Sequence, residues 1–450
     1  MAFVLLLAIK GVIVRKIILL SASYYFYAYW DYRFLGLIVI VTLLNFYISL
    51  WIANTGNLLK RRSLFITILI INLCLLGLFK YYNFFIHSLE SLPLLSHTDL
   101  TTLNLILPLG ISFYIFRVIS YAADVYTKKM APCVHIIDFA IYVAFFPIII
   151  SGPISRASSF LPQLKKYSIS ISTFYAGSQL FIIGLFLKVF IADRLAMFVN
   201  YFYAHYKVFD TLTTWLATVA YSLQIYADFA GYSSMAIGMS LILGFEIEEN
   251  FHFPYLARNI REFWRRWHIT LSTWIRDYVY IPLGGNRKGK YRTYVNLIIA
   301  MTICGLWHGA AWTFVLWGLM HGIALVINHI YRDHFHTQSN TTPATSIAYW
   351  AGTFLFVTLA WVVFRSGSIS EAMSIYSQLF CLKEGITWLQ PFILLILVAI
   401  AFVHVLSYVK VTAISLPLNS WYTMTILFCL IWLAAIFHPS EFQPFVYENF

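Results

Sequence analysis

Charge is scarce in this chain. Of its 450 residues only 11% are charged and 61% are hydrophobic, giving a mean hydropathy of +0.77, whereas a soluble globular protein carries about 25% charged and about 45–50% apolar residues. That excludes a soluble domain and leaves a polytopic integral membrane protein. Cysteine is sparse too: Cys74, Cys133, Cys304, Cys381 and Cys429 are far apart, lie mostly inside apolar runs and form no CxxC pair. No metal site is expected from them, and they read as packing residues. A GxSxG elbow, an HExxH helix and a P-loop are all missing, so serine-hydrolase, zincin and nucleotide-hydrolase chemistry have no support. There is no low-complexity linker and no sustained repeat.

What is present is hydrophobic length. Runs of about 20 mostly apolar residues recur at 34–53, 64–83, 176–199, 293–309, 311–331, 346–364, 391–408 and 422–437, each near the length a helix needs to cross a bilayer. The expected fold is all-α, with about eleven transmembrane helices. Lys10, Arg15 and Lys16 interrupt the first apolar stretch and no small-residue cleavage site follows, so it reads as a span or interfacial helix rather than a removed signal peptide. The polar stretch His334–Thr345 is a loop ahead of the last spans.

The net charge of +12 is concentrated beside these spans, at Lys60-Arg61-Arg62, Lys128-Lys129 and Lys165-Lys166, and in 258–292, which carries nine Lys/Arg against two acidic residues. Loops of this kind face the cytoplasm. Membrane lipids account for the basicity better than nucleic acid, because no soluble nucleic-acid-binding module is present.

The stretch 250–292 is too charged to cross a bilayer. At 100° per residue, Ile260, Phe263, Trp264, Trp267, Leu271 and Trp274 fall within about 60° of one direction, and Arg258, Arg261, Glu262, Arg265 and Arg266 fall opposite. This predicts one amphipathic helix in the headgroup layer, with Pro254 ahead of it and a turn at Leu283-Gly284-Gly285-Asn286 behind. His268 lies on the border of the two faces, placed either to bond a headgroup or carbonyl, or to turn inward. The arginines read either as a lipid-facing cationic face or as an anion site. Asp277 is expected to pair with Arg276 or a neighbouring arginine.

The sequence GLWHGAAWTFVLWGLMHG (305–322) holds two histidines in an apolar run. On one straight helix His308 and His321 would stand about 20 Å apart along the axis and about 140° around it, too far to share a proton. Gly305/Gly309 and Gly318/Gly322 are each spaced four apart, the pattern that lets helices approach closely in lipid. His308 therefore faces protein, either as a packing histidine bonded across a helix interface or as a functional group, since polar residues at membrane depth tend to mark substrate or ion paths. A neutral imidazole is suited to taking a proton from a hydroxyl.

The run WHITLSTWIRDYVYIPLGGN (267–286) followed by GLWHGAAWTFVLWGLMHG, with LPLGISFYIFRVISYAADVY (107–126), FFPIIISGPISR (145–156) and the approach from YADFAGYSS (226–234), closely resembles the membrane-bound O-acyltransferase (MBOAT) family, in its bacterial alginate O-acetylation branch. The match covers most of 20–370. It implies a single membrane domain over 1–450, with the catalytic part at 226–331, C-terminal spans over 346–450, and re-entrant or interfacial helices around a central tunnel; past about residue 370 the spans are placed by hydropathy alone. The resemblance makes His308 the catalytic histidine, with His268 supporting it. His321 and Trp307 take secondary roles.

The expected reaction passes an acyl group from a cytoplasmic thioester, acetyl-CoA or an acyl-carrier protein, to a hydroxyl on the far side; no cofactor is tightly bound. His308 would act as general base, with His268 and Trp307 positioning the donor. Arg265, Arg266, Trp274 and Arg276 are candidates for donor binding. Partners would be membrane lipids and a periplasmic SGNH-type acetyltransferase or other export machinery, at the cell inner membrane. D-alanyl transfer toward teichoic acid is an alternative. So are a transporter or flippase using the histidines as a proton path, and a non-catalytic scaffold.

Overall fold

A computed structural model of the chain describes residues 11–91, 100–165, 168–335, 342–410, 420–439 and 443–446. Lys10, Lys166 and the middle of the polar stretch after His334 lie outside these residues. The regular secondary structure of the described residues is helical, with one isolated bridge between Phe209 and Ile386. The chain forms two compact units, one of Met1–Ser178 with Ala236–Glu248 and one of Gln179–Met235 with Glu249–Phe450.

The first unit begins with α1 (Val12–Trp30), α2 (Tyr32–Asn54) and α3 (Leu58–Leu76), which runs through a π-helical turn into α4 (Tyr82–Glu90). It continues with α5 (Ile111–Tyr126) and α6 (Ile136–Ala144). Buried polar groups tie these apolar helices together. Asn45 and Asn72 exchange amide hydrogen bonds of 3.2 and 3.0 Å between α2 and α3, the kind of interhelical link that works where lipid cannot satisfy an amide. The guanidinium of Arg117 donates to the carbonyls of Tyr142, Val143 and Ile148 just where α6 ends and leaves its last carbonyls without helical partners. Lys16 of α1 pairs with Asp138 of α6 at 2.7 Å.

The chain continues with α7 (Ile171–Phe186), a π-helical turn at Leu187–Ala192, α8 (Asp193–His205) and the long α9 (Thr211–Ile242). The second unit then holds α10 (Ile260–Arg266), α11 (Ile269–Ile275), α12 (Lys290–His308), α13 (Trp312–Phe335), α14 (Pro343–Arg365), α15 (Ile369–Phe380), α16 (Pro391–Lys410) and α17 (Trp421–Ile436). Among the described residues, 4 helices are long and apolar enough to cross a membrane: Tyr32–Asn54, Leu58–Glu90, Trp312–His334 and Pro343–Arg365. Shorter apolar helices lie at Ile136–Ile148, Pro391–His404 and Trp421–Ile436.

Two stretches differ from the expected single helices. The amphipathic stretch from Ile260 is not one helix: it breaks at Trp267–His268 into α10 and α11. All six residues of its predicted apolar face are nevertheless buried, because each half keeps the helical spacing that points them inward. Likewise 305–322 is not one helix. α12 ends at His308, Gly309 is extended (φ −165°) and α13 starts at Trp312, so the distance expected between His308 and His321 does not apply.

Glycine makes that hairpin possible. A Cβ on Gly305 would stand 2.2 Å from the carbonyl oxygen of Phe314 and one on Gly318 would stand 2.3 Å from that of Met301. Both are impossible contacts, so α12 and α13 meet backbone to backbone. At Gly309 the space a side chain would take is filled by the Phe314 ring, with a Cβ there only 2.1 Å from the ring edge.

Candidate active site

His268 owes its position to the break between α10 and α11. α10 begins at an Asn259 cap whose side chain accepts from the backbone N–H of Glu262 at 2.9 Å, and it stops where His268 takes a left-handed conformation (φ 41°, ψ 55°). That region is unfavourable for a residue with a Cβ and persists only when the surroundings enforce it. Asn250 does the enforcing. Its backbone carbonyl accepts from Ile269 at 2.9 Å. Its side-chain oxygen accepts from His268 Nδ1 at 3.0 Å and from the Thr270 hydroxyl at 2.9 Å, while its amide donates to Ser233 at 3.2 Å. Since the asparagine oxygen can only accept, His268 carries a proton on Nδ1, and in the neutral ring Nε2 is left as the basic nitrogen. His268 is fully buried, so it is not the headgroup-facing residue that its border position allowed.

His308 ends α12 and is buried at 2% exposure. Aromatic rings surround it: Trp307 and Trp317 with centroids at 5.1 Å and Phe364 at 5.3 Å. Trp307 also packs against His268, at 5.8 Å. One tryptophan thus touches both histidines, although they lie on separate elements.

His321 is brought to the same cluster by the hairpin. Its ring is 4.7 Å from Trp317, which also packs on His308. The indole N–H of Trp264 donates to His321 Nδ1 at 3.3 Å, so this imidazole is neutral and its proton is on Nε2. His321 Nε2 has no hydrogen-bond partner among the described residues.

The arginines open onto a cleft. A cavity of about 1110 Å³ is lined by Arg258, Arg261, Arg265, Arg266 and Arg332 on one side and by Tyr349 and Phe356 among others. Phe356 forms part of its wall and packs on His321 at 5.3 Å, which links the cleft to His308 through His321 and Trp317. Arg266 is partly neutralised by Glu262, at 2.9 Å; Arg261 and Arg265 point to solvent. Arg276 pairs with the adjacent Asp277 at 2.8 Å and lines a smaller neighbouring cavity of about 440 Å³ with Arg261 and Arg332. Trp274 lines neither cavity: it is buried against Tyr278, with centroids at 5.3 Å. Among the described residues no three His, Cys, Asp or Glu side chains gather as metal ligands would.

Several of these residues were not singled out in the sequence. Trp317 was legible, since it lies four residues before His321 and so shares its helix face. His404 was legible as a histidine inside an apolar run; it is buried between Tyr226 and Phe253, with both centroids at 5.5 Å. Asn250 and Ser233 carried no signal, because they reach His268 only through the return of the chain.

These features define a multi-pass membrane protein with buried, tautomerically ordered histidines set among aromatic rings beside a cationic cleft. Residues 23–369 match the model of MBOAT, the membrane-bound O-acyltransferase family, and the chain belongs to that family. It is therefore an O-acyltransferase rather than a transporter. The chain is 42% identical over 371 residues to the probable alginate O-acetylase AlgI of Azotobacter vinelandii, covering 81% of this chain and 72% of that protein. It is 38% identical over 400 residues to the peptidoglycan O-acetyltransferase of Helicobacter pylori, covering 83% and 75%. A teichoic acid D-alanyltransferase of Bacillus subtilis is 31% identical over 283 residues, covering 58% and 69%.

Proposed function

We propose that this protein transfers an acetyl group from a cytoplasmic thioester, acetyl-CoA or an acyl-carrier protein, toward a hydroxyl of an exported cell-envelope polysaccharide, at the cell inner membrane. The observation that carries the reading is the packing of His268 and His308 on one tryptophan, Trp307, at 5.8 and 5.1 Å, in a cluster that reaches the arginine-lined cleft through His321 and Phe356. His308 takes the proton of the acceptor hydroxyl, that of a relay residue which carries the acyl group onward, as its oxygen attacks the thioester carbonyl. The tetrahedral intermediate then collapses with cleavage of the carbon–sulfur bond, and the imidazolium returns the proton to the departing thiolate. His268 and Trp307 orient the reactants, and the surrounding aromatic rings keep water from hydrolysing the thioester. Arg261 and Arg265 attract the donor's phosphates.

Acetyl is preferred to D-alanyl because the O-acetylating relatives match more of the chain at higher identity than the D-alanyl relative does. Final delivery to the polysaccharide by a periplasmic SGNH-type acetyltransferase is part of the same proposal. The test is the alkali-labile acetate on envelope polysaccharide in cells carrying the wild type, a deletion, or His308→Ala. Loss in both the deletion and the variant supports the reading, and full acetylation by His308→Ala sinks it.

A further inference from the structure

An ion cluster sits within the second unit, away from the cleft. The Lys188 ammonium lies between two carboxylates, Asp193 at 2.7 Å and Asp228 at 2.6 Å, with side chains no more than 15% exposed. Three ionised groups taken out of water together are costly unless every lone pair and proton is answered. Here two of the remaining positions are answered by one short piece of chain. The second oxygen of Asp228 accepts from the backbone N–H of Val446 at 2.8 Å, and Lys188 also donates to the carbonyl of Gln443 at 3.3 Å. Asn200 donates to the side chain of the same glutamine at 3.3 Å.

Between those anchors, Phe445 is buried. Its ring stacks on Tyr232 at 4.8 Å and meets Phe229 at 5.7 Å. Phe229 in turn stands edge-on to His268 at 4.6 Å. Asp228 and Phe229 are consecutive on α9, so one residue holds the segment's backbone while its neighbour receives the segment's ring and passes the contact to His268. A non-glycine residue in a left-handed conformation persists only where its surroundings enforce it, and Phe229 supplies the ring-side contact to His268.

From this arrangement we infer that the segment Gln443–Val446 is a strap that orients His268 through Phe229, which makes Phe445 and Asp228 positioning residues for acyl transfer. The inference rests on the reading that His268 serves the reaction, and the test separates the two. The full chain is labelled with 15N-histidine in lipid nanodiscs, the His268 ring signals are identified by their loss in His268→Gln, and acetyl transfer is measured per folded molecule. Phe445→Ala is expected to move the His268 signals and to lower kcat by about tenfold to a hundredfold at unchanged donor KM, the range by which a small misplacement slows catalysis. Asp228→Asn is expected to act in the same direction. Phe445→Leu, which refills the volume, is expected to recover most of the rate; Phe445→Val serves in place of Phe445→Ala should that variant not fold. Unmoved His268 signals overturn the strap, as does a variant that loses folded protein while each surviving molecule keeps the wild-type kcat. If the wild type transfers no acetyl group, the functional reading fails, and the His268 signals still decide the strap.

Discussion

The Nδ1–H of His268 donates to the side-chain oxygen of Asn250 at 3.0 Å, and that same oxygen accepts from Thr270. One asparagine therefore sets the tautomer of a buried histidine and the turn that presents it. Asn250→Ala leaves the imidazole N–H and the Thr270 hydroxyl without their acceptor, an error that costs about 1–3 kcal/mol per buried group. Acetyl transfer per folded molecule should fall by about tenfold to a hundredfold, while Asn250→Asp, which keeps the acceptor, should lose less. Equal rates for the alanine variant and the wild type would show that Asn250 does not position His268.

His308 and His321 both pack on Trp317 but should contribute unequally. Removal of a general base costs about 10²–10⁴-fold, so His308→Gln should fall by that much with an unchanged thermal unfolding profile in detergent. His321→Gln should lose less than His308→Gln, because the proposed proton transfer does not pass through it. Rate assays on purified protein rank the two, and the reverse order would exchange their roles.

The contact of α12 with α13 leaves no room at Gly305, where a Cβ would approach the Phe314 carbonyl oxygen to 2.2 Å. Gly305→Ala must push the helices apart and should destabilise by about 1–3 kcal/mol, seen as a lowered unfolding temperature and less monodisperse protein in detergent. Gly36 has nothing within 4 Å of its Cβ position, so Gly36→Ala should be neutral or slightly stabilising. Identical behaviour of the two variants would contradict the close crossing.

Arg261 and Arg265 face solvent at the cleft and each contributes modestly, as exposed charges do. The double charge reversal Arg261→Glu/Arg265→Glu should raise the donor KM by about threefold to tenfold, more at low salt than at high salt, with kcat preserved. An unchanged KM combined with weaker association with anionic lipid would assign these arginines to headgroups instead.

Membrane class, family and the positions of most long helices were legible in the sequence, because hydropathy is local and WHITLSTW with WHG is a dense motif. The inward set from Ile260 to Trp274 was legible as well, since burial follows helical spacing even across a break. The break itself was not. It depends on Asn250, eighteen residues earlier, whose hydrogen bonds to His268 and Ile269 exist only after the chain has folded back. The relation of His308 to His321 likewise turned on three residues, Gly309 to Ala311, that replace a straight helix with a hairpin. Periodicity alone could extend the helix but could not see the Phe314 ring lying over Gly309. Sequence determined which side chains are apolar, which can carry a proton and how each helix is faced, all properties of neighbours along the chain. Only tertiary structure decided that His268, Trp307, His308, Trp317 and His321 form one connected cluster, because packing between elements is set by distances that no local pattern encodes.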